Sequence, residues 1–214
     1  MKLNNLWLLD FDGTLFDSEA FKASLECFAG NVGVDRDQFL ATYQQSKNQY
    51  GSYDLFSHLD KYFDIDEATI RAKAEEFFKG HDYQYPDVAD FLVSIGDDDQ
   101  TIFTLGSDRF QRFKINLTSS LSCLDLLQTE AAKSRQLIEL TSAGQGKGLR
   151  FRGKDYQNIY YLDNRVEFFI TDPLAGLVQI RIRRTGDYYS QDPTPEGILE
   201  VGSLSEISLM LGLS

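Results

Sequence analysis

The sequence predicts an α/β fold: a doubly wound parallel sheet, interrupted after its first strand by an inserted α-helical domain. Three observations carry this. The apolar run Leu6-Trp7-Leu8-Leu9 ends in acids at Asp10 and Asp12. About 80 residues of helical periodicity follow it. From Thr101 onward, short apolar runs alternate with amphipathic helical ones, the pattern of strand–helix repeats.

Residues 6–9 read as a short buried strand, with the two acids where it meets a loop. Gly13 permits a tight turn and Thr14 offers a hydroxyl. Phe21, Leu25 and Phe28 then fall at i, i+4, i+7 behind a cap at Ser18, with Gly30 as the stop. Phe39 and Tyr43 mark a second helix, and Leu55, Leu59, Tyr62 and Phe63 a third. Ile70, Ala74, Phe77 and Phe78 mark a fourth, with Gly80 just past its end. Pro86 suits a first helical position ahead of Val88, Phe91 and Leu92.

Residues 101–105 read as a second buried strand, and Asp108 as the cap of a helix carrying Phe110, Phe113 and Leu117. Another helix is expected near 131–140, and a third strand over 159–162 that ends at Asp163. Residues 177–184 alternate Leu177, Gln179 and Arg181 against Val178, Ile180 and Ile182, which suits a strand with one wet face. Ser203 and Glu206 form a capping box for a last helix. Residues 144–148 and 185–197 read as exposed loops. The basic residues of the late part, from Arg150 to Arg184, read as a solvated strand face and loop. The division is therefore 1–16 with 85–214 as the α/β core, and 17–84 as the helical insert.

A net charge of −12 argues against nucleic-acid and anionic-membrane partners. Two cysteines, Cys27 and Cys123, imply no disulfide framework. No apolar run approaches the roughly 20 residues that span a bilayer. The chain enters its first strand almost at once, so a cytoplasmic protein is expected. His58 and His81 lack Cys or His neighbours at ligand spacing, so no zinc site is expected and both read as surface residues.

Two carboxylates flanking one Phe at a strand end can divide chemistry between them. The first can attack an electrophile or hold a cation, and the second can move a proton. Calcium loops also begin D-x-D-G, but counting from Asp10 the sixth and twelfth positions here are Leu15 and Phe21, which excludes that reading.

The run Asp10-Phe11-Asp12-Gly13-Thr14 resembles the first motif of the haloacid dehalogenase superfamily, the Asp-x-Asp-x-Thr phosphohydrolases, with matches at Asp10, Asp12 and Thr14. Thr104, ending the second strand, resembles the second motif, although Leu105-Gly106 replaces the usual Asn. Asp163 resembles the fourth motif, with Asn164 where a second acid is usual and Glu167 four residues on. The family's lysine usually opens a helix ahead of that motif. Lys133 lies 30 positions before Asp163 and begins an amphipathic stretch, so it is preferred to Lys147, 16 before and set among glycines.

The resemblance implies a Rossmann-like core with a helical C1-type cap over 17–84. It implies a Mg²⁺-dependent phosphatase acting on a small phosphorylated metabolite. Asp10 would be the nucleophile and Asp12 the acid and base, with Thr104 and Lys133 on the phosphoryl oxygens. The Asp10 carboxylate, the Asp12 backbone carbonyl and Asp163 would hold the metal. Dehalogenases of the family lack an acid at the Asp12 position and need no magnesium, which favours phosphate chemistry. A phosphomutase using the same residues stays open. So does a catalytically weak phosphate-binding or regulatory protein, because Asn164 removes a charge.

Overall fold

A computed structural model describes residues 4–47, 51–144 and 148–213. The first strand, β1 (Leu6–Leu9), leads into four helices: α1 (Ser18–Asn31), α2 (Arg36–Tyr43), α3 (Leu55–Phe63) and α4 (Glu67–Phe77). Then come α5 (Val88–Ser94), β2 (Asp99–Leu105), α6 (Asp108–Ile115), β3 (Asp125–Thr129) and α7 (Lys133–Leu140). Three short strands follow, β4 (Thr141–Ala143), β5 (Leu149–Phe151) and β6 (Lys154–Tyr156). The chain closes with β7 (Ile159–Asp163), β8 (Leu177–Ile182), β9 (Leu199–Val201) and α8 (Leu204–Leu211).

The main sheet has the order β3-β2-β1-β7-β8-β9, with every pairing parallel. Leu9 pairs with Ile102 on one side and Leu162 on the other, so β1 is central. Its alternate side chains enter two cores. Trp7 and Leu9 face one that continues into the helical insert. Leu6 and Leu8 face another with Phe103, Leu137 and Tyr161. Burial on both faces is what the unbroken apolar run demanded. The order of connections reverses at β1, and its carboxyl end opens on the crevice where ligands bind in such sheets. Among the described residues, no helix is long and apolar enough to cross a membrane.

The chain leaves and rejoins the sheet region along adjacent segments. Asp17 donates its N–H to the Tyr83 carbonyl at 2.7 Å, and Tyr85 donates to that of Leu15 at 3.0 Å. Each insert helix has its own aspartate cap: Asp17, Asp35, Asp54 and Asp66 accept backbone N–H groups at the starts of α1 to α4. Ser18 is thus not the cap of α1; its hydroxyl is used elsewhere, as shown below.

Other expectations also change. Residues 177–182 have no wet face: Gln179 and Arg181 are buried. Gln179 bonds both backbone groups of Ile170, and Arg181 donates to the carbonyls of Tyr189 and Asp192, so the 185–197 loop covers this side of the strand. Arg184 is buried too, paired with Asp87 at 2.8 Å and donating to the Thr14 carbonyl. Pro86 lies in a turn ahead of α5 instead of opening it. Ser107, not Asp108, is the N-cap position of α6. His81 is exposed, but His58 is buried in the insert, with Tyr53 Oη 3.0 Å from Nδ1 and Thr42 Oγ1 2.8 Å from Nε2.

Candidate active site

Three neighbouring strands deliver their ends to one place. Asp10 follows β1, Thr104 is next to last in β2, and Asp163 ends β7. Lys133 opens α7. A lysine there sits at the positive end of the helix dipole, an unfavourable position unless acids compensate it. Here they do. Lys133, 1% exposed, donates from Nζ to Asp10 Oδ1 and, at 2.8 Å, to Asp163 Oδ2. Lys147, the competing candidate, lies outside the described residues.

The turn after β1 is tightly wound. The Phe11 carbonyl accepts N–H groups from Leu15 and Phe16, and Gly13 has φ +80°. A Cβ on Gly13 would stand 2.2 Å from Asn164 Nδ2, so both backbone sign and space require glycine. The turn brings Thr14 back over Asp10, and its hydroxyl donates to Asp10 Oδ2 at 2.9 Å.

Asp12 points to a different set of partners. Lys114 Nζ lies 2.5 and 2.6 Å from its two carboxylate oxygens, Gln111 donates at 3.1 Å, and the Ser18 hydroxyl donates at 3.0 Å. Sequence reasoning missed Lys114 and Gln111. The available signal was two polar residues spaced i, i+3 among Phe110, Phe113 and Ile115, on the buried side of α6.

The electrostatics separate the two acids. Burial pushes the Asp10 carboxyl up to about 7, with the nearby Asp163 charge adding and Lys133 opposing. Burial also works to raise Asp12, but the Lys114 ammonium and the bonds from Gln111 and Ser18 outweigh it and hold that carboxyl below its ordinary value. Burial pulls Lys133 down, yet Asp10 and Asp163 together raise it, so it stays an ammonium.

Asp163 accepts from Lys133 and from the Tyr161 hydroxyl at Oδ2, and from the Arg165 N–H at Oδ1. Asn164 faces the cavity. Its Nδ2 donates to Asp187 Oδ2 at 2.7 Å, while its buried Oδ1 has no hydrogen-bond partner. The buried Thr104 hydroxyl is likewise unpartnered. Glu167 is turned to Arg165 instead, with its side chain 46% exposed. Asp10, Asp12, Thr104, Lys133 and Asn164 line a cavity of about 380 Å³ that residues of the helical insert also line.

Among the described residues, no three Asp, Glu, His or Cys side chains gather as a metal cage. The oxygens present nonetheless suit a hard dication such as Mg²⁺, which takes one or two carboxylates and keeps several waters. Asp10 and Asp163 supply carboxylate, the Asp12 main chain a carbonyl, and Asn164 an orphaned amide oxygen. Of the ion-paired groups at the strand ends, the acids Asp10, Asp12 and Asp163 outnumber Lys133 and Lys114. A phosphate ester adds further negative charge that an added cation would balance.

No family model matches the sequence, and no curated protein matches it. Solved structures do match the fold. A haloacid dehalogenase-like hydrolase of Burkholderia xenovorans superposes with a TM-score of 0.71 at 16% identity, over 97% of this chain and 96% of that one. The HAD-hydrolase YfnB of Bacillus subtilis, bound to magnesium, gives 0.54 at 15% identity over 100% of both. CbbY of Rhodobacter sphaeroides, in complex with xylulose-1,5-bisphosphate, gives 0.55 at 16% identity over 95% of this chain and 96% of that one. An L-2-haloacid dehalogenase of Xanthobacter autotrophicus shares the fold as well. The central β1 strand with its acidic turn, the order of the sheet and these full-length superpositions agree: the chain has the fold of the haloacid dehalogenase superfamily.

Proposed function

We propose that this protein is a Mg²⁺-dependent phosphatase that hydrolyses a small phosphorylated metabolite through an aspartyl-phosphate intermediate on Asp10. The observation that carries the reading is the buried Lys133 ammonium shared by Asp10 and Asp163, beside the unpartnered hydroxyl of Thr104. Cation, nucleophile and free hydroxyl donor are the parts that a phosphoryl group needs around it. Phosphate-ester binding by CbbY, on the same fold, supports the substrate class.

Asp10 attacks phosphorus in line, and the bond to the leaving oxygen breaks. Thr14 and Lys133 fix the Asp10 carboxylate, and Lys133 with Thr104 binds the phosphoryl oxygens as charge builds. Asp12 protonates the leaving alkoxide, then takes a proton from the water that opens the acyl phosphate. Lys114 holds Asp12 as a carboxylate, so the proton for the leaving oxygen enters with a singly protonated phosphate ester and passes through Asp12. Asp10, the Asp12 carbonyl and Asp163 would hold magnesium, with the Asn164 amide oxygen beside them. Bound there, the metal neutralises phosphoryl charge.

Residues 17–84 act in this reading as a helical cap on a core of 1–16 and 85–214. Arg109 of α6 donates to Asp54, Ser57 and Glu67 of the insert, tying the two together. An acid at Asp12 has no task in displacing a halide, which needs no protonation, so phosphate esters are favoured over haloacids. Phosphate release from p-nitrophenyl phosphate, with magnesium and with chelator, tests the reading. Absence of any metal-dependent turnover at high enzyme concentration would count against it.

A further inference from the structure

The cavity that holds Asp10 and Lys133 is also lined by cations that the phosphoryl chemistry does not use. Lys22 comes from α1 and Lys47 from the segment after α2. Both lie over one ring: Lys22 Nζ is 5.7 Å and Lys47 Nζ 4.9 Å from the Tyr43 centroid. Arg165, just beyond β7, sits with its guanidinium 4.8 Å from the Tyr189 ring on the same cavity.

Neither lysine has a hydrogen-bond or ion-pair partner among the described residues, in a chain with net charge −12. Holding such groups together costs free energy. Lys47 titrates below its ordinary range through burial, then through Lys22 and Arg165, with Glu19 offsetting part of this. Acidic partners were available to evolution across the whole surface, yet the two lysines face the cavity unpaired. The Tyr43 and Tyr53 rings and the polar Gln44 line the same cavity. His58 fixes Tyr53 by holding its hydroxyl.

We infer that Lys22, Lys47 and Arg165 form a second anion site, so that the substrate is a small hydroxylated phosphate ester bearing another phosphate or a carboxylate at its far end. This rests on the phosphatase reading of Asp10 and Lys133. A distal charge would also serve specificity, because simple monoesters would leave Lys22 and Lys47 without an anion.

Paired probes test the site on the intact protein. Fructose 6-phosphate is compared with fructose 1,6-bisphosphate, and glycerol 3-phosphate with 3-phosphoglycerate, in wild type and in the doubly substituted Lys22→Met, Lys47→Met protein. Calorimetric binding of the two bis-anions is measured alongside. In wild type at least one bis-anion should have a KM about tenfold below its mono-anionic partner, the size of one charge-assisted contact. The methionine pair should remove that ratio, and Lys22→Arg with Lys47→Arg should restore it. The arm that responds tells phosphate from carboxylate. Ratios near one in both wild-type arms, or ratios unmoved by the methionine pair, would overturn the proposal. If no ester is hydrolysed but bis-anion binding still depends on Lys22 and Lys47, the phosphatase reading fails and the anion site stands. If neither turnover nor lysine-dependent binding is found, both fall.

Discussion

Lys114 closes on Asp12 with its ammonium 2.5 and 2.6 Å from the two carboxylate oxygens, and the lysine side chain is only 6% exposed. The pair joins the turn after β1 to the last turn of α6. Removing the cation leaves a desolvated acid without its partner, which is more costly than removing both. Lys114→Met should therefore destabilise the fold by about 1–2 kcal/mol, since Asp12 keeps some solvent contact. Lys114→Met combined with Asp12→Asn should recover part of this. Urea unfolding of the four proteins gives the coupling, and additive losses would show that the pair has no energetic link.

Thr104 separates stability from chemistry. Its buried hydroxyl has no partner, so replacing it by a methyl group of the same shape removes no hydrogen bond from the fold. Thr104→Val should leave Tm unchanged or slightly higher, while turnover drops by about 10²-fold through loss of a phosphoryl contact. A fall in Tm with turnover intact would mean that the hydroxyl serves the fold alone.

The site was legible wherever local sequence dictates geometry. An apolar run ending in two acids and a Gly-Thr turn specifies a central strand and its loop, and the order of the later strands placed Thr104 and Asp163 at matching ends. Lys133 was legible as the start of an amphipathic segment. What escaped depends on long-range packing. The Lys114–Asp12 contact spans 102 positions, and nothing local to Lys114 announces it. The edge strand β3 carries only two apolar residues, Leu126 and Leu127, and the three-residue strands β4, β5, β6 and β9 are too short for periodicity to register. Arg181 and Gln179 looked solvated because alternation marks polarity, whereas the covering loop supplies buried carbonyls instead.

Asn164 connects the metal to stability. Its Nδ2 bonds Asp187, whose carboxyl is raised by burial. Asn164→Asp puts two carboxylates in contact, so Tm should fall without magnesium. The added anionic oxygen should then make the magnesium-induced rise in Tm larger than in wild type, because ligands that bind only the folded state stabilise it by mass action. Asp163→Asn should abolish that rise. Thermal unfolding with magnesium and with chelator reads all three, and a rise identical across them would place the metal elsewhere.

His58 gives the insert an acid-sensitive element. Burial lowers its pKa from 6.5 to about 4, so the folded state binds fewer protons than the unfolded state between those values. Stability attributable to His58 is fully present above pH 6.5 and is lost as pH falls toward 4, to an extent on the order of 3 kcal/mol. Urea unfolding of wild type and His58→Gln at intervals from pH 4 to 7 should show the two curves diverging with rising pH. Parallel curves would mean that His58 titrates alike in both states.

The most direct test of the account is the trapping of the acyl phosphate. Wild type, Asp10→Asn and Asp12→Asn are each mixed with a phosphate ester labelled with ³²P in the presence of magnesium, quenched in acid and digested. The account predicts label on the peptide containing Asp10 in wild type, little or no label and a several-orders loss of turnover in Asp10→Asn, and slowed release in Asp12→Asn. Turnover at the wild-type rate by Asp10→Asn, or label on any other residue, would contradict it.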